Sequence, residues 1–285
     1  MKYVIIGNGY VGNYLATAIP NSVLVEDKIW SREQIINLML SDHPSSVLVN
    51  CAGKIGKPNV DWCETHKDVV FGANVGLPVM IAEACKEIKQ PWFHIGSGCI
   101  YDGYDKFWAE DDAPNFYGSF YSKTKAWSQT ILEQYDEVCT LRIRMPIDEG
   151  LSDRSFVGKL IKYAKAGNPM LSMPNSVTFL DDLAMAIIGL AEKGQTGTFN
   201  IVSPGVIDAK NVLTLWANHI EPEIKPDWKE ADEVLGTLKA GRSNCILSTE
   251  KLAGEGIVFE DAFRKLEMVI KAHKEKINGP AREQE

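Results

Sequence analysis

The chain has 285 residues, 45% of them hydrophobic and 24% charged, with a formal net charge of −8. That size buries a sizeable core, as one large domain or two unequal ones, and the composition is ordinary for a soluble globular enzyme. The acidic balance argues against nucleic acid as a partner, because neutralising phosphates needs a basic surface. No uninterrupted apolar run approaches the length of a membrane span. The opening MKYVIIGNGYVG has an apolar stretch too short for a signal peptide and reads as a first strand. Cys51, Cys63, Cys85, Cys99, Cys139 and Cys245 form no C-x-x-C pair, and His66 after Cys63 is the closest approach to a zinc set, so no metal site is expected. Free thiols in a reducing, cytoplasmic setting are the expectation, most of them small core residues.

In chain order, YVIIG (3–7) and SVLVE (22–26) read as strands, and SREQIINLML (31–40) as a helix opened by Ser31 and Gln34. SVLVNCAG (46–53) is a third strand, GLPVMIAEACKEI (76–88) a helix and WFHIGSG (92–98) a strand. YSKTKAWSQTILEQY (121–135) and CTLRIRM (139–145) add a helix and a strand. Repeated strand–helix–strand order predicts an α/β fold, a doubly wound parallel Rossmann sheet covered on both faces, over residues 1–145. Past Pro146, RSFVGKLIKYAKAGNPM reads as a helix ending at Gly167, and SVTFLDDLAMAIIGLAEKG as a strand then a helix. GTFNIVSPG reads as a strand, with AKNVLTLWANHI and EDAFRKLEMVIKAHKEK as helices. Residues 176–203 are expected to return to the Rossmann domain, while 146–175 and 204–277 form a smaller mixed α/β lobe. The polar tail, 278–285, is predicted to be disordered.

VIIGNGYVGNYLATAI sets Gly7, Gly9 and Gly12 in G-x-G-x-x-G spacing, with Asn8, Tyr10 and Val11 between them, at a strand-to-helix turn. Such a turn lets backbone approach a pyrophosphate at the helix start. An acid about twenty residues on strengthens the signal; here it is Glu26 or Asp27. That acid favours a ribose 2′-hydroxyl, hence NAD, whereas Lys28 or Arg32 favours a 2′-phosphate, and both cofactors stay open. A tight turn without ligand is the competing reading.

HIGSGCIYDGY (94–104) places Ser97 and Cys99 two apart, on one face if the strand continues. FYSKTKAW places Tyr121 and Lys125 four apart on one helix face. An ammonium near a phenol lowers a pKa that starts near ~10, giving an acid that protonates a carbonyl oxygen as hydride arrives. Y-x-x-x-K alone is common on amphipathic helices; the nucleotide turn and the strand-end serine are what give it meaning.

With these residues the chain resembles the extended short-chain dehydrogenase/reductases, and within them the branch that finishes deoxysugar nucleotides. NCAG (50–53), ANVGLP (73–78), SGCIYDG (97–103), YSKTKA (121–126), DDLAMAI (181–187) and RSNCIL (242–247) match that branch in order. GKPNVDWCE (56–64), NFYGSFYSKTKA (115–126), LRIRMPI (141–147) and PNSVTFLDDL (174–183) are similar to one subgroup. That subgroup is the bifunctional UDP-4-keto-6-deoxyglucose 3,5-epimerase/4-reductases of UDP-L-rhamnose synthesis.

The resemblance implies NADPH as cofactor, with NADH the second choice, near Cys51, Ala52, Gly53, Asn74, Tyr121 and Lys125. It makes the later lobe the substrate-binding one, with Ser97, Gly98, Cys99, Asn175, Ser176, Thr178 and Arg242 toward a UDP-linked 4-keto-6-deoxy sugar. Plain reductases of the branch carry an aromatic residue where Cys99 stands, which assigns this thiol to proton transfer at C3 and C5, with Lys159 as its partner. The resemblance also allows a homodimer and places the preceding 4,6-dehydratase on a separate chain. Two departures loosen the NADPH preference. The subgroup usually has G-x-x-G-x-x-G at the first turn, and its plant-like members have small residues where Glu26 and Asp27 stand. Bland readings stand beside these roles: a core thiol for Cys99, a solvated helix lysine for Lys159, a surface salt bridge for Arg242. A plain turn would use Asn175, Ser176 and Thr178 equally well. Asn59, Trp62 and Glu64 resemble subgroup positions, with no role derivable from sequence. Two other functions compete: a reductase alone, acting on a dTDP-linked, already epimerised sugar, and a non-catalytic nucleotide-binding subunit.

Overall fold

A computed structural model describes residues 1–279. β1 (Lys2–Ile6), α1 (Tyr10–Ala18) and β2 (Ser22–Val25) open the chain. α2 (Arg32–Asn37) follows, running into a π turn at Leu38–Asp42. Ser31 and Gln34 form the expected reciprocal cap at its start. β3 (Ser46–Asn50) precedes α3 (Lys67–Phe71), a π turn (Gly72–Gly76) and α4 (Leu77–Glu87). β4 (Trp92–Ser97), β5 (Gly103–Trp108), α5 (Phe120–Leu132) and β6 (Val138–Ile143) complete the first half.

The second half contains α6 (Phe156–Lys165), β7 (Pro169–Met170), α7 (Leu180–Glu192) and β8 (Gly197–Asn200). α8 (Ala209–His219), β9 (Asp227–Trp228) and α9 (Ala231–Leu235) follow. β10 (Cys245–Leu247), α10 (Glu250–Gly254) and α11 (Ala262–Asn278) end the described chain. α11 thus reaches Asn278, one residue into the segment expected to be disordered; residues 280–285 lie outside the described residues.

The main sheet is six-stranded, in the order β2-β1-β3-β4-β6-β8, with every pair parallel. Alternate residues of β1 supply both faces. Tyr3 and Ile5 join a core with Leu15, Phe93, Leu141 and Leu183, under α1 and α7. Val4 and Ile6 join Ile35, Leu48, Ile81 and Trp92, under α2 and α4. β8 pairs with β6, and α7 packs on α1, so the 180–200 segment belongs to this sheet. A separate cluster of Ile147, Val157, Phe179, Trp216, Leu266 and Ile270 joins α6, α8 and α11. Strand order reverses between β1 and β3. In doubly wound sheets ligands bind outside the carboxyl ends of the strands at that switch point.

Three elements differ from expectation. α3 and α4 form one helical run from Lys67 to Glu87, starting well upstream of the periodic 76–88 segment. By length and composition this run is able to cross a membrane, which uninterrupted apolar stretches did not reveal. It buries Val70, Val75, Ile81 and Cys85 beside α2 and α5, as a core helix does. Residues 175–179 form no strand; isolated bridges link Asn175 to Ile207 and Phe179 to Ile147. The segment is buried throughout, and its backbone bonds to separate places rather than to one neighbouring strand: Ser176 N to Cys245 O, Thr178 N to Arg144 O, Ile147 N to Thr178 O and Ser203 N to Val177 O. The third is the pair of β5 and β10, parallel neighbours from distant parts of the sequence.

Candidate active site

The glycine turn sits at the carboxyl end of β1. Gly7 has φ +109°, and a Cβ there would lie 2.5 Å from the Ala52 nitrogen; one on Gly12 would lie 2.0 Å from the Gly7 oxygen. Both positions therefore require glycine. Space is open where a Gly9 Cβ would stand, and α1 starts with no side-chain cap among the described residues. Free N–H groups at an open helix start fit the pyrophosphate of a dinucleotide. Asn8 Oδ1 accepts from Asn13 at 2.8 Å. Tyr10 is turned toward the other lobe, its phenol donating to Asp148 Oδ2 at 2.6 Å. Burial and then Asp148 hold that phenol above its ordinary range. Val11 packs on the core, so Tyr10 and Val11 offer the turn their backbone rather than their side chains.

Glu26, Asp27 and Lys28 are exposed just past β2. Lys28 lies 5.6 Å from the Trp30 ring, and Arg32 pairs with Glu87 at the surface. Cys51, Ala52 and Gly53 leave β3 against Gly7. Burial pushes the Cys51 thiol up to about 12, against the pull of Lys125. Asn74 does not face the cleft as a free donor. Its amide donates to Lys54 O at 3.0 Å and Thr124 Oγ1 at 3.1 Å, and its oxygen accepts from Lys54 N at 2.7 Å. It fastens the loop after β3 to α5.

Tyr121 and Lys125 lie on α5, buried, with the side chains at one end of β4. Lys125 Nζ donates to Ile95 O at 3.1 Å, and burial lowers its pKa to about 8, opposed by Cys99 and Cys51. The expected lowering of the Tyr121 pKa is not what the site shows. Burial, then the neighbouring Cys99, push this phenol above 10, outweighing the Ser97 hydrogen bond and the Arg144 charge. β4 ends at Ser97, so Ser97 and Cys99 do not share a strand face; a turn brings them together, with Cys99 N donating to Ser97 Oγ at 3.1 Å. Cys99 is half-buried and packs with Tyr121, Cys63 and Phe120. Cys63, Cys85, Cys139 and Cys245 are buried thiols, as expected for core cysteines.

Lys159 lies on α6 with its surface open to solvent and no ion-pair partner among the described residues. The surrounding protein, then Arg154, lower its pKa. Other expected substrate contacts are committed elsewhere. Asn175 Nδ2 donates to Met173 O and Asn244 Oδ1, while its oxygen accepts from Cys245 N and Arg144. Ser176 Oγ accepts from Leu247 N at 2.9 Å. The Thr178 hydroxyl donates to Ile201 O and accepts from Arg144 N. All three are buried and hold the lobe on the sheet. Gly98 is packed under Leu247 and Arg144, where its lack of a Cβ gives them room. Arg242 pairs with Asp61 at 3.0 Å, with its side chain about a quarter exposed.

The profile of the RmlD substrate binding domain matches residues 4–216. The chain belongs to that family. A bifunctional dTDP-4-dehydrorhamnose 3,5-epimerase/dTDP-4-dehydrorhamnose reductase of Arabidopsis thaliana is 37% identical over 239 residues, 80% of this chain and 77% of that protein. A trifunctional UDP-glucose 4,6-dehydratase/UDP-4-keto-6-deoxy-D-glucose 3,5-epimerase/UDP-4-keto-L-rhamnose-reductase of the same plant is 35% identical over 268 residues. The match takes in 90% of this chain, which spans only 39% of that relative's length. Among solved structures, the L780 UDP-rhamnose synthase of Acanthamoeba polyphaga mimivirus superposes with a TM-score of 0.86 at 27% identity, covering 95% of this chain and 99% of that one.

For this member of the RmlD family the structure also gives roles to residues that sequence reasoning left blank. Glu64 Oε1 accepts from Phe120 N at 2.6 Å, and Ser119 Oγ accepts from Ser122 N at 3.0 Å, so two side chains fix the start of α5. Asn59 caps the short turn at Val60–Glu64, and Trp62 stacks on His66 with centroids 3.8 Å apart. Burial and then Lys125 keep His94 well below its ordinary pKa, hence neutral; it meets Asn50 Nδ2 at 3.1 Å. Asn50 in turn accepts from Ala52 N at 3.0 Å, supporting the floor below Gly7. Arg144, buried just past β6, bonds Cys99, Ser243 and Asn175. Its partners lie 31 to 99 positions away in sequence, beyond the reach of any local motif.

Proposed function

We propose that the chain inverts C3 and C5 of UDP-4-keto-6-deoxyglucose and reduces its C4 ketone with NADPH or NADH, giving UDP-L-rhamnose. The observation that carries this reading is the gathering of Ser97, Cys99, Tyr121 and Lys125 at the end of β4, beside an open glycine turn. Kinship with rhamnose synthases and dTDP-4-dehydrorhamnose reductases supports the coarser part, a nucleotide-sugar 4-ketoreductase.

The nicotinamide cofactor, when bound, supplies the hydride for C4. The turn from Gly7 to Gly12 would hold its pyrophosphate, and Glu26 or Asp27 its ribose; Lys28 or Arg32 would meet a 2′-phosphate. Cys99 and Lys159 serve as the acid/base pair on opposite faces of the sugar. Loss of a proton from C3 or C5 leaves negative charge on O4, where the Tyr121 and Ser97 hydroxyls donate hydrogen bonds. Tyr121 then gives its proton to the same oxygen during reduction. A phenol held above 10 stays protonated at neutral pH, as that acid must. The Lys125 ammonium balances the phenolate left behind. A homodimer, a separate 4,6-dehydratase and a cytoplasmic setting belong to the same proposal.

The test is incubation with UDP-4-keto-6-deoxyglucose and NADPH in D2O, with deuterium located by NMR. Label at C3 and C5 together with cofactor oxidation is the expected result. Oxidation only with an already epimerised, dTDP-linked sugar would reduce the function to the ketoreductase. Neither exchange nor oxidation with either sugar would leave a binding module. Cys99→Ala is expected to slow exchange about 100-fold or more, the usual worth of a positioned acid/base group.

A further inference from the structure

Arg144 is a more deeply buried cation than Lys125, and no local motif marks it. It is 1% exposed. Nη1 donates to Cys99 Sγ at 3.3 Å and to Ser243 Oγ at 2.9 Å. Nη2 donates to Ser243 O at 2.8 Å and to Asn175 Oδ1. Burial works against its charge, and the facing Cys99, Cys245, Tyr104 and Tyr121 outweigh that. Nε has no partner among the described residues.

We propose that Arg144 is the positioning residue for Cys99, aiming the sulfur at the sugar and balancing its charge whenever Cys99 has given up its proton. The proposal rests on the epimerase reading above. In the donating step the S–H bond breaks, its electron pair stays on sulfur, and the enolate pair forms the new C–H bond. In the accepting step the sulfur pair takes the proton, the C–H bond breaks, and its pair moves into the enolate toward O4. The sulfur therefore alternates between neutral and negative, with the guanidinium fixed 3.3 Å from it throughout. Ser243 and Asn175 keep the guanidinium from turning away. The other titratable groups facing Cys99 are Tyr121, Lys125 and Cys245, with the Cys63 thiol packed in the same cluster. Of these only Lys125 carries positive charge, and its ammonium is engaged by Ile95 O.

The experiment compares the parent chain with Arg144→Gln, Arg144→Lys and Ser243→Ala. One readout is the ratio of C3/C5 deuterium exchange to hydride transfer. The other, free of substrate, is the rate at which iodoacetamide alkylates Cys99, followed by peptide mass spectrometry. Loss of a charged hydrogen bond predicts that Arg144→Gln lowers the exchange ratio and the Cys99 alkylation rate each about 10- to 100-fold. Arg144→Lys should recover much of both, and Ser243→Ala should fall between. If Arg144→Gln does not fold, the order of the other two against the parent chain decides. Unchanged or faster alkylation, or exchange and hydride transfer falling in step, overturns the role of Arg144. Absence of exchange in the parent chain overturns the epimerase reading instead; slow alkylation in Arg144→Gln alone would then still show the guanidinium acting on the sulfur.

Discussion

At the scale of single residues, the proposed chemistry places its sharpest demands on Gly12 and Lys125. A methyl group on Gly12 would occupy the position of the Gly7 oxygen, 2.0 Å away, so Gly12→Ala must displace either the turn or α1. Cofactor affinity, read by fluorescence titration with NADPH, is expected to fall about 100-fold or more, because the N–H groups that meet a pyrophosphate lose their alignment. Gly9→Ala, with open space at its Cβ, should disturb the fold little and act only through the ligand. Lys125, lowered to about 8, is an ammonium below that pH and neutral above it. Support for the Tyr121 phenolate is therefore present on the acid side and lost as pH rises. Hydride transfer should decline above about pH 8 with a slope approaching −1; Lys125→Met should flatten that limb, and an unchanged limb would place the titration elsewhere. These residues were legible in the sequence because glycine spacing and a four-residue helical offset are local signals. Arg144 and Glu64 were not, since each acts on a segment brought near only by the fold.

At the scale of elements, α5 carries the Tyr121/Lys125 face, and its start decides where that face points. Ser119 caps it through Ser122 N, and Glu64 reaches across from the Val60–Glu64 turn to Phe120 N. Both caps answer N–H groups that a helix start leaves unpaired. Glu64→Ala should cost about 1–2 kcal/mol in urea denaturation, the usual worth of a lost cap or charged hydrogen bond. Because Tyr121 is the second residue of the helix, kcat should fall more than KM rises. A stability loss without any change in kcat would confine Glu64 to the fold. Strands of the main sheet were legible because both faces are buried, which makes them continuous apolar runs. The helical run from Lys67 was not, because β-branched Val69 and Val70 and glycines at 72 and 76 mask it. Packing against α2 and α5 outweighs their poor helix propensity. Residues 176–179 misled in the opposite direction, alternating like a strand while bonding to separate segments.

The whole molecule depends on how the α6, α8 and α11 lobe is held on the sheet. Lys265 of α11 joins the two, donating to Asp181 Oδ2 at 2.7 Å and Asp182 Oδ1 at 2.5 Å in the first turn of α7. The Asp182 side chain is 7% exposed, and Ser203 Oγ donates to its other oxygen at 3.3 Å. Burial, the largest influence, raises the Asp182 pKa, and Lys265 pulls it back down. A carboxyl whose folded pKa lies above its unfolded one binds protons better when folded. Its contribution to stability is thus largest at low pH and is lost as pH rises through the folded value. Replacing Lys265 by methionine removes the cation that pairs with Asp182 among the described residues and drives that pKa higher still. An uncompensated buried carboxylate then remains at neutral pH, and breaking such a pair costs about 3–5 kcal/mol. Lys265→Met should therefore lose most stability at pH 7, and progressively less toward pH 5 as Asp182 takes up a proton, in urea titrations at both values. Asp182→Asn in the same background should erase the difference between the two pH values. Lys265 also lies over the Phe179 ring, 5.1 Å from its centroid, and the methionine keeps much of that apolar contact. A loss of equal size at both pH values would mean that the ammonium holds the lobe through the ring rather than through the carboxylates.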